Sequence, residues 1–331
     1  MPALGSASVR LPRRKFLHLA ASSIGLVILP RPGTALDYPT RPVRFVVGFP
    51  AGSATDIVGR LVAQSLSERF GQQFIVDDRP GAGSNLATEV VVRADPDGYT
   101  LLQVASPNAI NATLYSDLSY NFIRDIKPVV GIFRYPYVMV VSSSVPAKTL
   151  AEFIAYARAN PGKIDMASAG NGTAPHIFGE LFKMMTGITM LHVPYRGSYF
   201  SDLIAGRVQV VFSPLPSTIG YIRAGTIRAL AVTTATRSEE LPNIPAVGET
   251  VPGYEASSWQ GVGAPKNTSA EIVDKLNKEI NTVLADPKMR KRLAELGGTV
   301  LGGTPAEFGK FIADETEKWA RVIKSANIKL E

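Results

Sequence analysis

The 331-residue chain contains no cysteine. That excludes disulfides, thiolate metal sites, thiol catalysis and a lipid attached to cysteine at a cleavage site. Histidine is scarce as well: of three, only His176 and His192 lie beyond the first 36 residues. There is no His-Glu-x-x-His zinc motif and no Gly-x-Ser-x-Gly elbow. No nucleophile, base and orienting group suggest themselves as a catalytic set. Charged residues make up 19% of the chain, and the formal net charge of +7 misleads. Arg10, Arg13, Arg14, Lys15 and Arg31 fall within residues 1–36, which hold no acid; without them, 30 basic residues face 28 acidic ones. Nothing in that balance asks for nucleic acid or an anionic membrane. Beyond the N-terminal leader, no apolar run approaches the roughly 20 residues a spanning helix needs.

What is present begins with an export address. Pro12-Arg-Arg-Lys-Phe-Leu17 is a twin-arginine pattern, followed by an apolar run to Leu29. Gly33-Thr-Ala35 supplies small residues for cleavage near Ala35. Both the twin-arginine and the general secretion routes accept such a leader. The mature chain is expected to diffuse freely in the periplasm.

Two strand-to-helix junctions carry the functional reading. In the first, Val43–Val47 runs into Gly48-Phe-Pro-Ala-Gly-Ser-Ala-Thr-Asp56 and a helical pattern to Arg69. In the second, Lys163–Ala167 runs into Ser168-Ala-Gly-Asn-Gly-Thr-Ala-Pro-His176 and a helical pattern to Met185. Such loops expose backbone N–H groups at the positive end of a helix dipole, where an anion binds. Neither loop holds Lys or Arg. The pattern therefore suits a small carboxylate better than a polyphosphate, which also recruits cations. Gly52, Ser53 and Ala54 are the candidates for direct backbone contact, with Ala51 and Thr55 beside them. Ser53 and Asp56 have capping-box spacing, so Asp56 reads as a helix cap whose charge would repel the ligand. In the second loop Ser168, Ala169, Gly170, Asn171, Gly172 and Thr173 are candidates, with His176 in the first helical turn. His192 reads as packed at a strand end. Phe49, Tyr137 and Tyr195 are candidate walls. Arg196 either takes a second carboxylate bidentately or forms a surface ion pair. Gly81-Ala-Gly83 and Gly170-Asn-Gly172 fail the dinucleotide pattern, because Leu86 and Pro175 stand where a third small residue belongs. No cofactor or metal is implied.

Strand and helix patterns alternate from Arg44 to Thr233, which predicts α/β lobes with largely parallel sheets. Pro128–Phe133 and Val138–Ser142 read as separate strands. Helices are predicted over Ala270–Ala285, Pro287–Leu296 and Thr304–Ala326, the last opened by an N-cap with Pro and Glu behind it.

Several motifs in fixed order resemble one family. They include Tyr38-Pro-Thr-Arg-Pro-Val43, Phe49-Pro-Ala-Gly52 with Asp56, Asp78-Arg-Pro-Gly-Ala-Gly83 with Asn85, and Pro96-Asp-Gly-Tyr-Thr-Leu101. His192-Val-Pro-Tyr-Arg-Gly197, Val251-Pro-Gly-Tyr-Glu255 and Trp259-Gln-Gly261 continue the series. The chain is similar over essentially Leu36–Glu331 to the substrate-binding proteins of tripartite tricarboxylate transporters, also called Bug receptors. The resemblance implies an α/β, two-lobed Venus-flytrap fold with two chain crossings, near Arg134–Val138 and Gly253–Ser258. The lobes would comprise residues 37–135 plus 257–331, and residues 136–256, after an export peptide over 1–36. It further implies a monomeric, non-enzymatic receptor that passes a small carboxylate to a two-subunit membrane permease. A receptor presenting its ligand to a sensor kinase ectodomain, or an exported enzyme on the same scaffold, are the alternatives. Three positions depart from the family pattern: Ser53 replaces a second glycine, Ser198-Tyr-Phe-Ser-Asp202 is a shortened segment, and Ser213 stands where Asp is common. All three fall near the expected cleft.

Overall fold

Short apolar runs build the centre of the protein. The structure, a computed structural model, describes residue 2, residues 37–195 and residues 197–330. The expected leader and Arg196 therefore fall outside the described residues, Pro2 excepted. From Tyr38 onward the chain packs as one unit.

Strand β1 (Val43–Val47) is buried at four of its five positions, as a central parallel strand must be. It pairs in parallel with β2 (Phe74–Asp78) and β3 (Thr100–Ala105). Helices α1 (Ala54–Phe70) and α2 (Asn85–Val92) make the two crossovers. Gly71, in the left-handed region at φ 66°, stops α1. After β3 the chain enters α3 (Ser106–Leu114) directly, then a single turn α4 (Phe122–Asp125).

Strand β4 (Ile126–Ser142) is 17 residues long and belongs to two sheets. Its first half pairs antiparallel with β9 (Ser257–Pro265) and β10 (Thr299–Gly302). Its second half pairs antiparallel with β7 (Val210–Pro214) and β8 (Ile227–Val232). β9 also pairs antiparallel with β3, so the first sheet runs β2-β1-β3-β9-β4, with β10 also on β4. The second runs β4-β7-β5-β6, where β5 (Asp165–Ser168) and β6 (Leu191–Pro194) are parallel, and β8 also joins β4. The expectation of largely parallel sheets is thus corrected: every pairing of β4 and β9 is antiparallel. The two separate strands expected around Pro136 are one. Pro136 lies between them and cannot donate to a ladder. It sits, however, at the point where β4 changes partners, between Arg134 opposite Trp259 and Val138 opposite Ser213.

Helices α5 (Leu150–Ala159), α6 (Ala174–Thr186), α7 (Phe200–Ile204) and α8 (Leu215–Arg223) accompany the second sheet. The C-terminal segment folds as α9 (Ala270–Ala285), α10 (Pro287–Glu295) and α11 (Pro305–Ser325), in agreement with the capping and periodicity signals. Thr304 and Glu307 form the reciprocal capping box at the start of α11, with bonds of 3.2 and 2.8 Å. α9 lies against α1 and β4, and α11 against α3, β4 and α6.

The apolar core is continuous, running from Val46 and Leu102 through Tyr137, Phe178 and Trp319 to Phe212. Alternate residues of β4, Val138 and Val140, face a second cluster with Tyr199, Leu203 and Val211. Strand β9 is polar and glycine-rich yet buried along its whole length. Gly261 explains part of this, since a Cβ there would come 2.2 Å from the Phe308 ring.

A buried carboxylate ties β9 to α11. The indole N–H groups of Trp259 and Trp319 each donate to Glu315 Oε2 at 3.0 Å, and Lys318 pairs with the other oxygen. Both indoles are fully buried. Glu315→Ala leaves two buried donors without an acceptor, at about 1–3 kcal/mol each. We expect it to destabilise the protein by ~3 kcal/mol in urea unfolding, and Glu315→Gln, which keeps one acceptor oxygen, by less. An unchanged midpoint for Glu315→Ala would mean that the indoles are satisfied elsewhere.

Candidate functional site

The first loop is fixed by its own side chains. Ser53 caps α1 in extended geometry, and its Oγ accepts from the Asp56 N–H at 3.2 Å. Asp56 Oδ2 accepts from the Gly52 N–H at 2.7 Å, where Gly52 takes a φ of 81°. Asp56 Oδ1 meets Arg60 Nε at 2.6 Å, and Arg60 Nη2 reaches Asp78 Oδ2 at 2.7 Å. The Asp56 side chain is only 3% exposed. Burial opposes its charge, but Arg60 and the Gly52 N–H outweigh burial and hold the carboxyl below the usual carboxylate range. Asp78 is pushed the other way, by burial and by the Asp56 charge. The N–H groups of Ala54 and Thr55 occupy the first two positions of α1, where no intrahelical acceptor exists.

The second loop is braced from behind by two imidazoles. His176 Nδ1 accepts from the Gly172 N–H at 3.1 Å. His192 Nε2 lies 2.6 Å from Ser168 Oγ, which in turn accepts from the Gly170 N–H at 3.1 Å. The two rings stack face to face, with centroids 3.6 Å apart and planes at 4°. Because Nδ1 of His176 accepts, its neutral form carries the proton on Nε2, 3.6 Å from Glu180 Oε1. Glu180 also binds Lys183 at 2.7 Å. Burial, and then the neighbouring His176, bring His192 down from its ordinary 6.5 to about 4. Thr173 closes the loop by donating to the Gly170 carbonyl at 2.7 Å. The N–H of Ala174, the first residue of α6, has no intrahelical acceptor.

Both loops open on one cavity of about 490 Å³. Phe49 and Thr55 line it from the first loop, and Ala169, Asn171, Gly172 and Thr173 from the second. Ala51, Gly52, Ser53 and Ala54 are not among its lining residues, nor are Ser168 and Gly170. Ala51, Gly52 and Ala54 are instead solvent-exposed, while Ser168 is buried. His176 stands behind the loop, buried, with no surface on the cavity. Tyr195 donates to Asp202 at 2.7 Å and does not line it either. Arg196 is outside the described residues.

Other walls were not singled out in the sequence. They include Ser106, Ile110 and Asn111 of α3, Tyr135 of β4, and Ser258 and Gln260 of β9. Gln103 positions Gln260: its amide donates to Gln260 Oε1 and to the Thr55 carbonyl, both at 2.8 Å. A short helix directly after a strand, and a polar run in a glycine-rich segment, gave no periodic signal by which to find them. Ser213 is buried behind the wall, where its Oγ lies 2.8 Å from the hydroxyl of Tyr199, a lining residue. Two of the three places that the resemblance marks as departures are thus hydrogen-bonded to each other. Among the described residues, no charged side chain lines the cavity, and no group of three potential metal ligands occurs.

The family model for the tripartite tricarboxylate transporter family receptor matches residues 58–328. The chain belongs to that receptor family. Protein BugT of Bordetella pertussis is 34% identical over 91% of this chain and 94% of its own length. A solved structure of R. palustris Rpa4515 with adipate is 38% identical, with a TM-score of 0.74, covering 88% of this chain and 99% of that one. MatC from Rhodopseudomonas palustris with bound malate is 27% identical, with a TM-score of 0.71, covering 86% of this chain and all of that one. The receptor therefore has the α/β fold of periplasmic binding proteins, and its family consists of solute-binding receptors. Among the described residues, no helix is long and apolar enough to cross a membrane.

The imidazole brace makes a pH prediction. A histidine whose folded pKa is depressed contributes stability that is complete above the unfolded value and lost as pH falls toward the folded one. For His192 that window runs from 6.5 down to about 4. Unscreened, that difference is worth about 3 kcal/mol; with solvent screening at this half-buried ring we expect stability to fall by ~2 kcal/mol across it. His192→Gln, which keeps a polar partner for Ser168, should remove that part of the pH dependence in urea titrations at pH 7, 5.5 and 4. Equal slopes in both proteins would exclude His192 as the group responsible.

Proposed function

We propose that this receptor captures a small carboxylate in the cavity between Phe49–Thr55 and Ala169–Pro175, and delivers it to a two-subunit membrane permease. One observation carries the reading: two helix N-termini open on one cavity whose described lining is free of charged side chains. Backbone N–H groups and helix dipoles then supply the positive potential, and neutral Asn171 and Gln260 add directional partners. The adipate and malate complexes of related proteins support a carboxylate as the class of ligand. The protein acts in the periplasm after removal of residues 1–36.

Capture works by closure of two lobes, residues 37–135 plus 257–331 and residues 136–256. The first sheet and the second sheet, joined along β4, support this division. Bending falls at Arg134–Val138 and Gly253–Ser258, where β4 exchanges partners and the chain returns into β9. Contacts that form only when both loops touch one ligand favour the closed state, by their differential affinity. The permease reads that closed form.

A thermal-shift panel of mono-, di- and tricarboxylates on ligand-free protein tests the reading. A bound carboxylate at about 100 times its Kd should add about 2.7 kcal/mol of stability. Gly172→Val supplies the second arm. Gly172 has a φ of 73°, and a Cβ there would come 2.3 Å from Leu114 Cδ2. A β-branched residue is strained in that region and reshapes the loop. We expect at least about a tenfold loss of carboxylate affinity, corresponding to about 1.4 kcal/mol. No shift with any carboxylate, or normal binding by Gly172→Val, would set the mechanism aside.

A further inference from the structure

The wall of the cavity formed by Tyr199 has a construction of its own. Tyr199 precedes the short helix α7 and is 7% exposed. Its ring meets Tyr195 edge-on at 6.4 Å and Phe200 at 4.9 Å. Phe200 in turn stacks on Tyr221 at 4.5 Å. The Tyr199 hydroxyl lies 2.8 Å from Ser213 Oγ, and Thr218 Oγ1 approaches the same oxygen at 2.6 Å. Ser213 and Thr218 are fully buried. Swinging the ring away would break a buried hydrogen bond and leave Ser213 short of a partner, so the ring is held in one place.

Other aromatic walls are held in the same manner. Tyr135 and Tyr137 stack at 5.9 Å with planes at 18°, and Tyr137 Oη accepts from Ser258 Oγ at 3.2 Å. With the hydroxyls of Tyr137 and Tyr199 taken by serines, these rings present mainly carbon to the cavity. Ile110 and Leu114 add aliphatic surface. No Asp or Glu lines the cavity among the described residues. An ammonium group entering it would therefore give up water without gaining a carboxylate, which is costly. An uncharged apolar body loses nothing of the kind and gains by burial.

We propose that Tyr199, locked by Ser213, is the specificity-determining wall of this cavity, and that it selects carboxylates with an uncharged apolar or aromatic body over amino acids. The inference rests on the carboxylate-receptor reading and adds the identity of the ligand's other end. Tyr199 acts by direct contact with that body; Ser213 is a positioning residue that acts through Tyr199.

The test is isothermal titration of ligand-free protein with benzoate, 3-phenylpropionate, adipate and glutamate. Wild type should bind the better of the two aromatic acids at least about tenfold more tightly than glutamate. Tyr199→Ala should weaken that aromatic acid by about tenfold, as truncation of a buried aromatic contact does, while adipate changes by less than about threefold. Tyr199→Leu, which refills the core with aliphatic volume, gives the same readout should the alanine variant lack a cooperative melt. Tyr199→Phe keeps the ring and should keep the preference. Ser213→Ala, which unlocks the ring, should reduce the preference without abolishing adipate binding. Tighter binding of glutamate than of either aromatic acid would overturn the inference. So would equal losses for all ligands in Tyr199→Ala and Tyr199→Leu. If no carboxylate in the panel binds, the receptor reading fails and takes this inference with it; if carboxylates bind without preference, this inference fails alone.

Discussion

The architecture depends on one strand satisfying two sheets at once. Every backbone group of a buried strand needs a partner. β4 finds β9 and β10 for its first half and β7 and β8 for its second. The exchange is managed around Tyr137. Its N–H donates to Thr233 Oγ1 at 3.0 Å, and its carbonyl accepts from the Thr233 N–H at 2.9 Å. The Thr233 carbonyl then accepts from the Ala256 N–H at 2.8 Å. Both stretches of chain that connect the sheets are thus bonded at one residue. Pro136, with no N–H to place, needs no partner at the exchange itself. The same register sets Tyr135 and Tyr137 on the cavity, so the joint between the sheets also forms its floor.

That joint fixes where the loops can point, and the loops are prepared differently. In the first, a carboxylate does the bracing: Asp56 holds the Gly52 N–H and its charge is answered by Arg60. In the second, an imidazole does it: His176 Nδ1 accepts from the Gly172 N–H. In both cases the side chain consumes one N–H outside or at the edge of the cavity. The first-turn N–H groups of Ala54, Thr55 and Ala174 are left over. Pre-paired bracing of this kind lowers the ordering cost that a ligand would otherwise meet. What these helix starts turn toward the cavity is fixed backbone dipole, with no cation from either loop.

Much of this was legible in the chain itself. Small-residue loops between an apolar strand and an amphipathic helix announce a helix start, and both were read at the right place. Ser53, Asp56, Thr304 and Glu307 carry capping chemistry that acts within four residues, so their partners are readable from spacing alone. What stayed hidden depends on distant residues. His176 has the spacing of a ligand contact, but whether its ring turns toward the cavity or under the loop is decided by His192, in a different strand. β9 hid because its glycines and serines have low strand propensity; its burial comes from β3 and β4 on either side. Pro128–Phe133 and Val138–Ser142 read as two strands because propensity says nothing of a ladder that changes partners between them.

The positions that the resemblance marks as departures follow this rule as well. Taken singly, a shortened segment at Ser198–Asp202 and a serine at position 213 are only local oddities. In the fold they meet, with Tyr199 supplying a hydroxyl to the buried Ser213. A buried serine tolerates a neutral phenol beside it, whereas a buried carboxylate would demand charge compensation. The two fit each other: the neutral strand end permits a ring to pack against it, and the ring adds a second hydroxyl beside that of Thr218. That bond is how β7 and the start of α7 are fitted to each other beside the cavity. The loops that follow β1 and β5 take no part in that bond.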